Sequence, residues 1–334
     1  MFTATLLDWF AQNGRDLPWR HTKDPYAIWL SEVILQQTRI QQGMDYWLRF
    51  MQRWPKVEDL ASATEDEVLK EWQGLGYYSR ARNLHTAARQ VVARGGFPTT
   101  IEGIKQLKGV GDYTAAAIGS IAFNLPAAVV DGNVYRVLAR HYGIDTPINT
   151  TQGKHLFTEL AQSLLPADKP AEFNQALMDF GAIQCTPTSP KCVVCPLQET
   201  CEALRMGHID ELPVKEKKLT IQTVRLTYTY IRCKGKTAIR RRPAGGIWQG
   251  LWEPVQTSPQ TPSSLPLQGE GSVFLIAKDV KHVLTHRILL ADFYLLETDT
   301  QPALPDEYIW VNENDLEQYA VPRLIEILLE RLPR

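Results

Sequence analysis

The 334-residue chain has only five cysteines, no internal repeat and no apolar run long enough to cross a bilayer. So few cysteines exclude a disulfide framework spread through the fold. The start, MFTATLLDWFAQNG, carries an acid early and shows no signal-peptide pattern, so no membrane span or secretory signal is indicated. An intracellular, cytoplasmic and reducing setting is the expectation. An excess of one charge is also lacking: 36 Lys and Arg face 37 Asp and Glu, a net charge of −1. Bulk charge therefore does not announce a polyanion partner, and any such site must be built locally, from clustered side chains or helix N-termini. Neither G-x-G-x-x-G after a strand nor G-x-x-x-x-G-K-[ST] occurs, which removes the common nucleotide-binding folds.

What is present divides the chain in two, as its length favours. Before about residue 210 the apolar period is helical. DPYAIWLSEVILQQTRIQ, residues 24–41, reads as one helix after an Asp-Pro start, with Ile28, Leu30, Val33, Ile34 and Ile40 near the 3.6 period. ATEDEVLKEW, SRARNLHTAARQVVARGG, DYTAAAIGSIAFN, DGNVYRVLARHYG, KHLFTELAQSLL and PAEFNQALMDFGAIQC follow as further helices. After ELPVKEKKLT the period changes. TVRLTYTYIR and KTAIRRR read as a hairpin around Lys234–Gly235, GSVFLIA and ILLADFYLLET as strands, and PRLIEILLERL as a closing helix. Residues 258–271, SPQTPSSLPLQGEG, read as a surface loop. The expected organisation is a helical domain over 1–213, a linker at 214–219 and a smaller α+β domain over 220–334.

Four of the five cysteines fall in CTPTSPKCVVCPLQETC: Cys185, Cys192, Cys195 and Cys201. In a reducing compartment clustered thiols point to metal more than to disulfides. Both Zn²⁺ and an iron–sulfur cluster accept four sulfurs. A single tight C-x2-C flanked at six and five residues suits one compact [4Fe-4S] cube better than the paired C-x2-C of zinc sites. Cys233 reads as a buried strand thiol.

LKGVGDYTAAAIG sets Gly109 and Gly111 before an alanine-rich helix. Such a turn lets a phosphate approach backbone N–H groups at a helix N-terminus, or else simply packs a helical corner. Glu32 lies within the apolar helix AIWLSEVILQQT. It either points to solvent or is a buried acid with a raised pKa. Asp131 opens DGNVYRVLAR, where an N-cap is the simplest role. Two carboxylates, one protonated and one ionised, are also what glycosidic cleavage requires.

LPWR (17–20), WLSEVILQQTR (29–39), GLGYYSRARNL (74–84), GVGDYTA (109–115), VDGNVYRVLAR (130–140) and the cysteine run resemble, in order and spacing, the MutY-type adenine DNA glycosylases of the helix-hairpin-helix base-excision superfamily. The resemblance covers essentially the whole chain. It implies a mostly α helix-hairpin-helix glycosylase domain with a [4Fe-4S] cluster loop, followed by an α+β Nudix-like domain. The implied substrate is double-stranded DNA holding an adenine:8-oxoguanine mispair, from which adenine is flipped and excised; a monomer suffices. Carried over, Glu32 protonates adenine N7 and Asp131 stabilises the oxocarbenium ion. Asn133 orients the catalytic groups, Tyr113 lies beside the sugar, and Arg20 lines the adenine pocket. Tyrosine at 113 stands where strand-cutting relatives carry a Schiff-base lysine, so base removal without a strong lyase step is implied. Gln37, Leu75 and Tyr77 match residues that enter the duplex near 8-oxoguanine, and Lys191 is placed to meet DNA phosphate. Leu284, Thr285 and His286 occupy the position of a usual Phe-Ser-His triplet for 8-oxoguanine recognition. Threonine keeps the hydroxyl, whereas leucine loses the aromatic contact. Lys108 replaces a common proline. No R-E-x-x-E-E run follows GGIWQGLW, so the second domain is expected to recognise and not to hydrolyse.

Overall fold

A computed structural model of the chain describes residues 1–216, 221–257 and 271–333. The expected linker lies outside them from residue 217 onward. The expected loop at 258–271 does too, apart from Gly271, which opens a strand. Two compact units are formed, Met1–Ser62 with Thr86–Lys217, and Ala63–His85 with Lys218–Arg334. Residues 63–85, helical by sequence, thus cluster with the second unit.

The first unit is helical: α1 (Phe2–Asn13), α2 (Pro25–Leu35), α3 (Ile40–Arg53) and α4 (Val57–Ser62). In the second unit lies α5 (Glu65–Glu71), and α6 (Ser79–Ala93) begins there. The first unit continues with α7 (Ile101–Lys105), α8 (Asp112–Phe123), α9 (Gly132–Tyr142), α10 (Thr151–Leu164), α11 (Pro170–Asp179) and α12 (Glu202–Met206). Its core gathers Leu6, Val134, Leu138, Phe157, Phe173, Leu177 and Phe180 from α1, α9, α10, α11 and the turn after α11. The α2 helix is buried on every side from Tyr26 to Ile34, so its polar residues cannot face solvent. It stops at Leu35 instead of continuing to residue 41, because Gln37 takes a left-handed backbone, φ 61°. A one-turn π-helix, Phe180–Gln184, follows α11. Gly181 lies so close to Asn133 that a Cβ there would sit 2.6 Å from the Asn133 Cβ.

The second unit holds a mixed sheet and α13 (Arg323–Arg331). Its strands are β1 (Gln222–Arg232), β2 (Lys236–Arg241), β3 (Trp252–Thr257), β4 (Gly271–Val283), β5 (Arg287–Thr298) and β6 (Tyr308–Asn312), in the order β4-β5-β1-β3-β2-β6. β1 and β5 run parallel, with Tyr228 opposite Phe293, and the other pairings are antiparallel. The expected β1–β2 hairpin keeps only its tip, the Cys233–Lys236 bridge, because β3 inserts between the two strands. Alternate residues of β1 and β5 (Leu226, Tyr228, Tyr230, Leu289, Ala291, Phe293 and Leu295) pack on Leu324, Ile325 and Leu328 of α13. Glu253 is fully buried on β3 and accepts from Arg240 and Tyr228, with Arg242 also paired to it.

Among the described residues no group of three or more His, Cys, Asp and Glu side chains is placed to hold a metal ion. This corrects the expected [4Fe-4S] cluster, and with it the cluster loop in the fold and the metal-ligand reading of Cys185, Cys192, Cys195 and Cys201. The four cysteines do line one small pocket, but as free thiols. Burial pushes the Cys192 and Cys201 thiols up, and Cys195 to about 11. Cys201 donates to the Arg140 carbonyl at 3.6 Å, and the Cys185 sulfur accepts from the Arg140 guanidinium at 3.5 Å. No helix of the described residues is long and apolar enough to cross a membrane.

Candidate active site

Glu32, Asp131, Tyr113, Asn133 and Arg20 line one cavity of about 230 Å³ in the first unit. Glu32 borders it from α2 together with Ile28, Ser31 and Leu35, and is 8% exposed. The Tyr113 hydroxyl donates to Glu32 Oε2 at 2.7 Å and also lies 3.7 Å from Met178 Sδ. Burial pushes the Glu32 carboxyl up to about 7. The tyrosine hydrogen bond works against this rise, nearby Asp131 adds to it, and Arg20 opposes it. A carboxyl raised in this way can keep its proton closer to neutral pH than an ordinary glutamate, as a proton donor needs.

Asp131 has two jobs at once. As the N-cap of α9 its Oδ1 accepts from the Asn133 and Val134 amides, each at 2.8 Å. Oδ2 accepts from Asn133 Nδ2 at 2.8 Å. Burial raises its carboxyl while these donors, with Arg136, oppose the rise. The capping role is therefore satisfied, and the carboxylate still borders the cavity. Asn133 is itself held: its Oδ1 accepts from Arg136 Nη2 at 2.8 Å, which leaves its amide N–H₂ for Asp131. Arg136, largely buried, donates also to the carbonyls of Gly181 and Cys185, each at 2.7 Å.

Two further residues, one in the wall and one behind it, had not been singled out by sequence. Asp179, 0% exposed, closes α11 and accepts from both Arg15 and Arg20. Arg15 lines the cavity beside Arg20. The signal that found Glu32, a carboxylate among apolar helical neighbours, was present in ALMDFG too.

The remaining candidates lie elsewhere. Gln37 is exposed on the left-handed turn after α2, outside the cavity lining. Gly109, φ 78°, and Gly111, the N-cap of α8, form the turn between α7 and α8. A Cβ on Gly111 would meet nothing within 4 Å, so the backbone there is open to approach. Lys191 is exposed beside the cysteine pocket. In the second unit Leu75, Tyr77, Leu284, Thr285 and His286 share a cavity of about 690 Å³ with Trp248 and His282. Tyr77 is 51% exposed with φ 46°, and its hydroxyl lies 2.5 Å from Thr285 Oγ1. Trp248 and His282, not singled out by sequence, stack tilted at 5.8 Å between ring centres.

Against known proteins, residues 30–163 match the model of the HhH-GPD superfamily base excision DNA repair proteins, and residues 227–331 match the NUDIX domain. The adenine DNA glycosylase of Mus musculus is 47% identical over 226 residues, 64% of this chain but only 44% of that protein. The chain thus spans less than half the length of this mammalian relative. The adenine DNA glycosylase of Buchnera aphidicola subsp. Baizongia pistaciae is 31% identical over 343 residues, 100% of this chain and 97% of that protein. Among solved structures, a thermostable thymine-DNA glycosylase is 35% identical with a TM-score of 0.57, over 61% of this chain and 95% of that one.

Proposed function

The chain belongs to the adenine DNA glycosylase family of the HhH-GPD superfamily, and so to the N-glycosyl hydrolases; on that premise we propose that it excises adenine mispaired with 8-oxoguanine or guanine, with Glu32 as general acid and Asp131 as stabiliser of the cationic sugar. The observation that carries the reading is the buried Glu32 carboxyl, lifted to about 7 and hydrogen-bonded to Tyr113, in a cavity that a second carboxylate borders.

The reaction then runs as follows. Adenine, turned out of the duplex, enters the cavity. Neutral Glu32 gives its proton to N7, which makes the base a better leaving group, and the C1′–N9 bond breaks with its electrons going to the base. Ionised Asp131, held by Asn133 and two backbone amides, faces the positive charge that develops on the sugar. Water adds at C1′ and returns a proton to a carboxylate, leaving free adenine and an abasic site. Tyr113 offers a hydroxyl where an amine would be needed for a Schiff base, so strand cutting is not part of the step. The Gly109–Gly111 turn and Lys191 serve phosphate, and Gln37 serves the duplex. In the second unit Leu75, Tyr77, Leu284, Thr285 and His286 read the opposing base through shape and hydrogen bonding. This last role fits a Nudix-like unit whose sequence lacks the glutamate-rich run for Mg²⁺.

The test is single-turnover excision from a duplex with adenine opposite 8-oxoguanine, abasic sites being revealed by alkali. Glu32→Gln should slow it by about 10²–10⁴-fold, the usual worth of a general acid. Cleavage at the wild-type rate would remove Glu32 from the mechanism.

A further inference from the structure

Behind the cavity wall stands a charged cluster that the proposed chemistry does not use. Asp179 accepts from the Arg15 backbone N–H at 2.9 Å and from Arg15 Nε at 2.9 Å, and it is also paired to Arg15 Nη2. It takes both ends of the Arg20 guanidinium, Nη1 and Nη2, each at 2.8 Å. Arg20 Nη1 donates also to the Arg15 carbonyl at 2.7 Å, and its guanidinium lies 5.4 Å from the centre of the Phe10 ring. A buried ion pair is weak as a stability device, since packed apolar groups do as well. Its worth here lies in orientation. An arginine side chain with both ends and one face engaged has a single available rotamer, and that rotamer borders the space holding Glu32 and Asp131.

We propose that Asp179 is a positioning residue for base excision, a buried carboxylate that locks Arg20, and with it Arg15, onto the cavity wall in the orientation that receives the extruded base. The inference rests on the function proposed above. Asp179 itself does not line the cavity, so it acts only through the two guanidiniums. The cluster carries one net positive charge: two arginines against one carboxylate, which these donors hold below the usual carboxylate range despite its burial. The charged and titratable groups facing Glu32 are Tyr113, Asp131 and Arg20. Asp179 is also followed directly by the Phe180–Gln184 π-turn, where Gly181 meets Asn133. One short segment therefore sets both Arg20 and the residue that orients Asp131.

The test uses the full chain, the same duplex and single-turnover rates at saturating enzyme. Asp179→Asn should slow excision by about 100-fold, as expected for a misplaced contact group. It should also move the alkaline limb of the pH profile to lower pH, because guanidiniums no longer neutralised by Asp179 favour ionised Glu32. In an Arg20→Gln background Asp179→Asn should cost less than about twofold more, the coupling of residues that act as a unit. Asp179→Glu should restore part of the rate. Arg20→Lys, which keeps the charge but loses the two-pronged contact, should fall at least about tenfold and gives a second reading should Asp179→Asn not fold. Costs that multiply independently, a limb that does not move, or wild-type rates for Arg20→Lys would each overturn the proposal. Where Glu32→Gln is inactive and these results are seen, the positioning role alone fails. Where Glu32→Gln is active, the proposed function fails with it.

Discussion

The Glu32 cavity and the Tyr77 cavity are built on different principles. In the helical unit two carboxyls face one cavity: Glu32 and Asp131 are desolvated, and each is held by specific donors. In the second unit the cavity is larger and, among the described residues, carries no carboxylate in its lining, its charged groups being arginines such as Arg287 and Arg323, with Tyr77 exposed, its hydroxyl on Thr285, and the Trp248 and His282 rings nearby. Desolvation is what lets a carboxyl titrate near neutral pH, and a group tuned in this way suits proton transfer. Shape and uncharged hydroxyls suit discrimination between bases that differ by an oxygen. On the proposed function the contrast would divide chemistry from recognition: damage to the first cavity should abolish the reaction, and damage to the second should change only which partner base is preferred.

The comparison can be broken most forcefully at Asp131. Asp131→Asn keeps a capping group but loses the charge facing the sugar, and should slow single-turnover excision by about 10²–10³-fold, equally opposite 8-oxoguanine and guanine. A change in partner preference alone would blur the division. A smaller effect is expected from Thr285→Val. Losing one hydroxyl contact to the opposing base is worth about 0.5–1.5 kcal/mol, so preference for 8-oxoguanine over guanine should fall by about 2–10-fold while the rate on the preferred duplex stays near wild type. Competition between the two duplexes measures it, and an unchanged ratio would take Thr285 out of recognition.

Much of this organisation was legible in the sequence, and the failures have physical causes. Glu32 stood out because a carboxylate within an apolar helical run is costly unless satisfied or functional, although a solvent-facing position stayed open until the structure showed α2 buried on every side; Asp179 carried a similar signal in ALMDFG without being singled out. The end of α2 was hidden because Ile40 kept the helical period across the turn, and the stop lies in the backbone of Gln37, with no glycine or proline to mark it. β3 was missed because it contains Pro254, which argues against a strand, and because its place between β1 and β2 is non-local. The membership of residues 63–85 in the second unit is equally non-local. It rests on contacts such as Arg241 Nη2 with Glu65 Oε1 at 2.8 Å, which no helical period encodes. Cysteine spacing pointed to a metal-ligand set; the four cysteines do line one pocket, but among the described residues no group of side chains is placed to hold a metal ion, and the cluster expectation was corrected.

The central claim is that a buried, neutral Glu32 runs excision. The most direct measurement is the pH dependence of the single-turnover rate on an adenine:8-oxoguanine duplex between pH 5 and 9. Glu32 must be protonated to act, so the rate should hold below its raised pKa and fall as pH rises through about 7, and this limb should vanish in the residual activity of Glu32→Gln. A wild-type rate that stays flat up to pH 9, or the same falling limb in Glu32→Gln, would contradict the account.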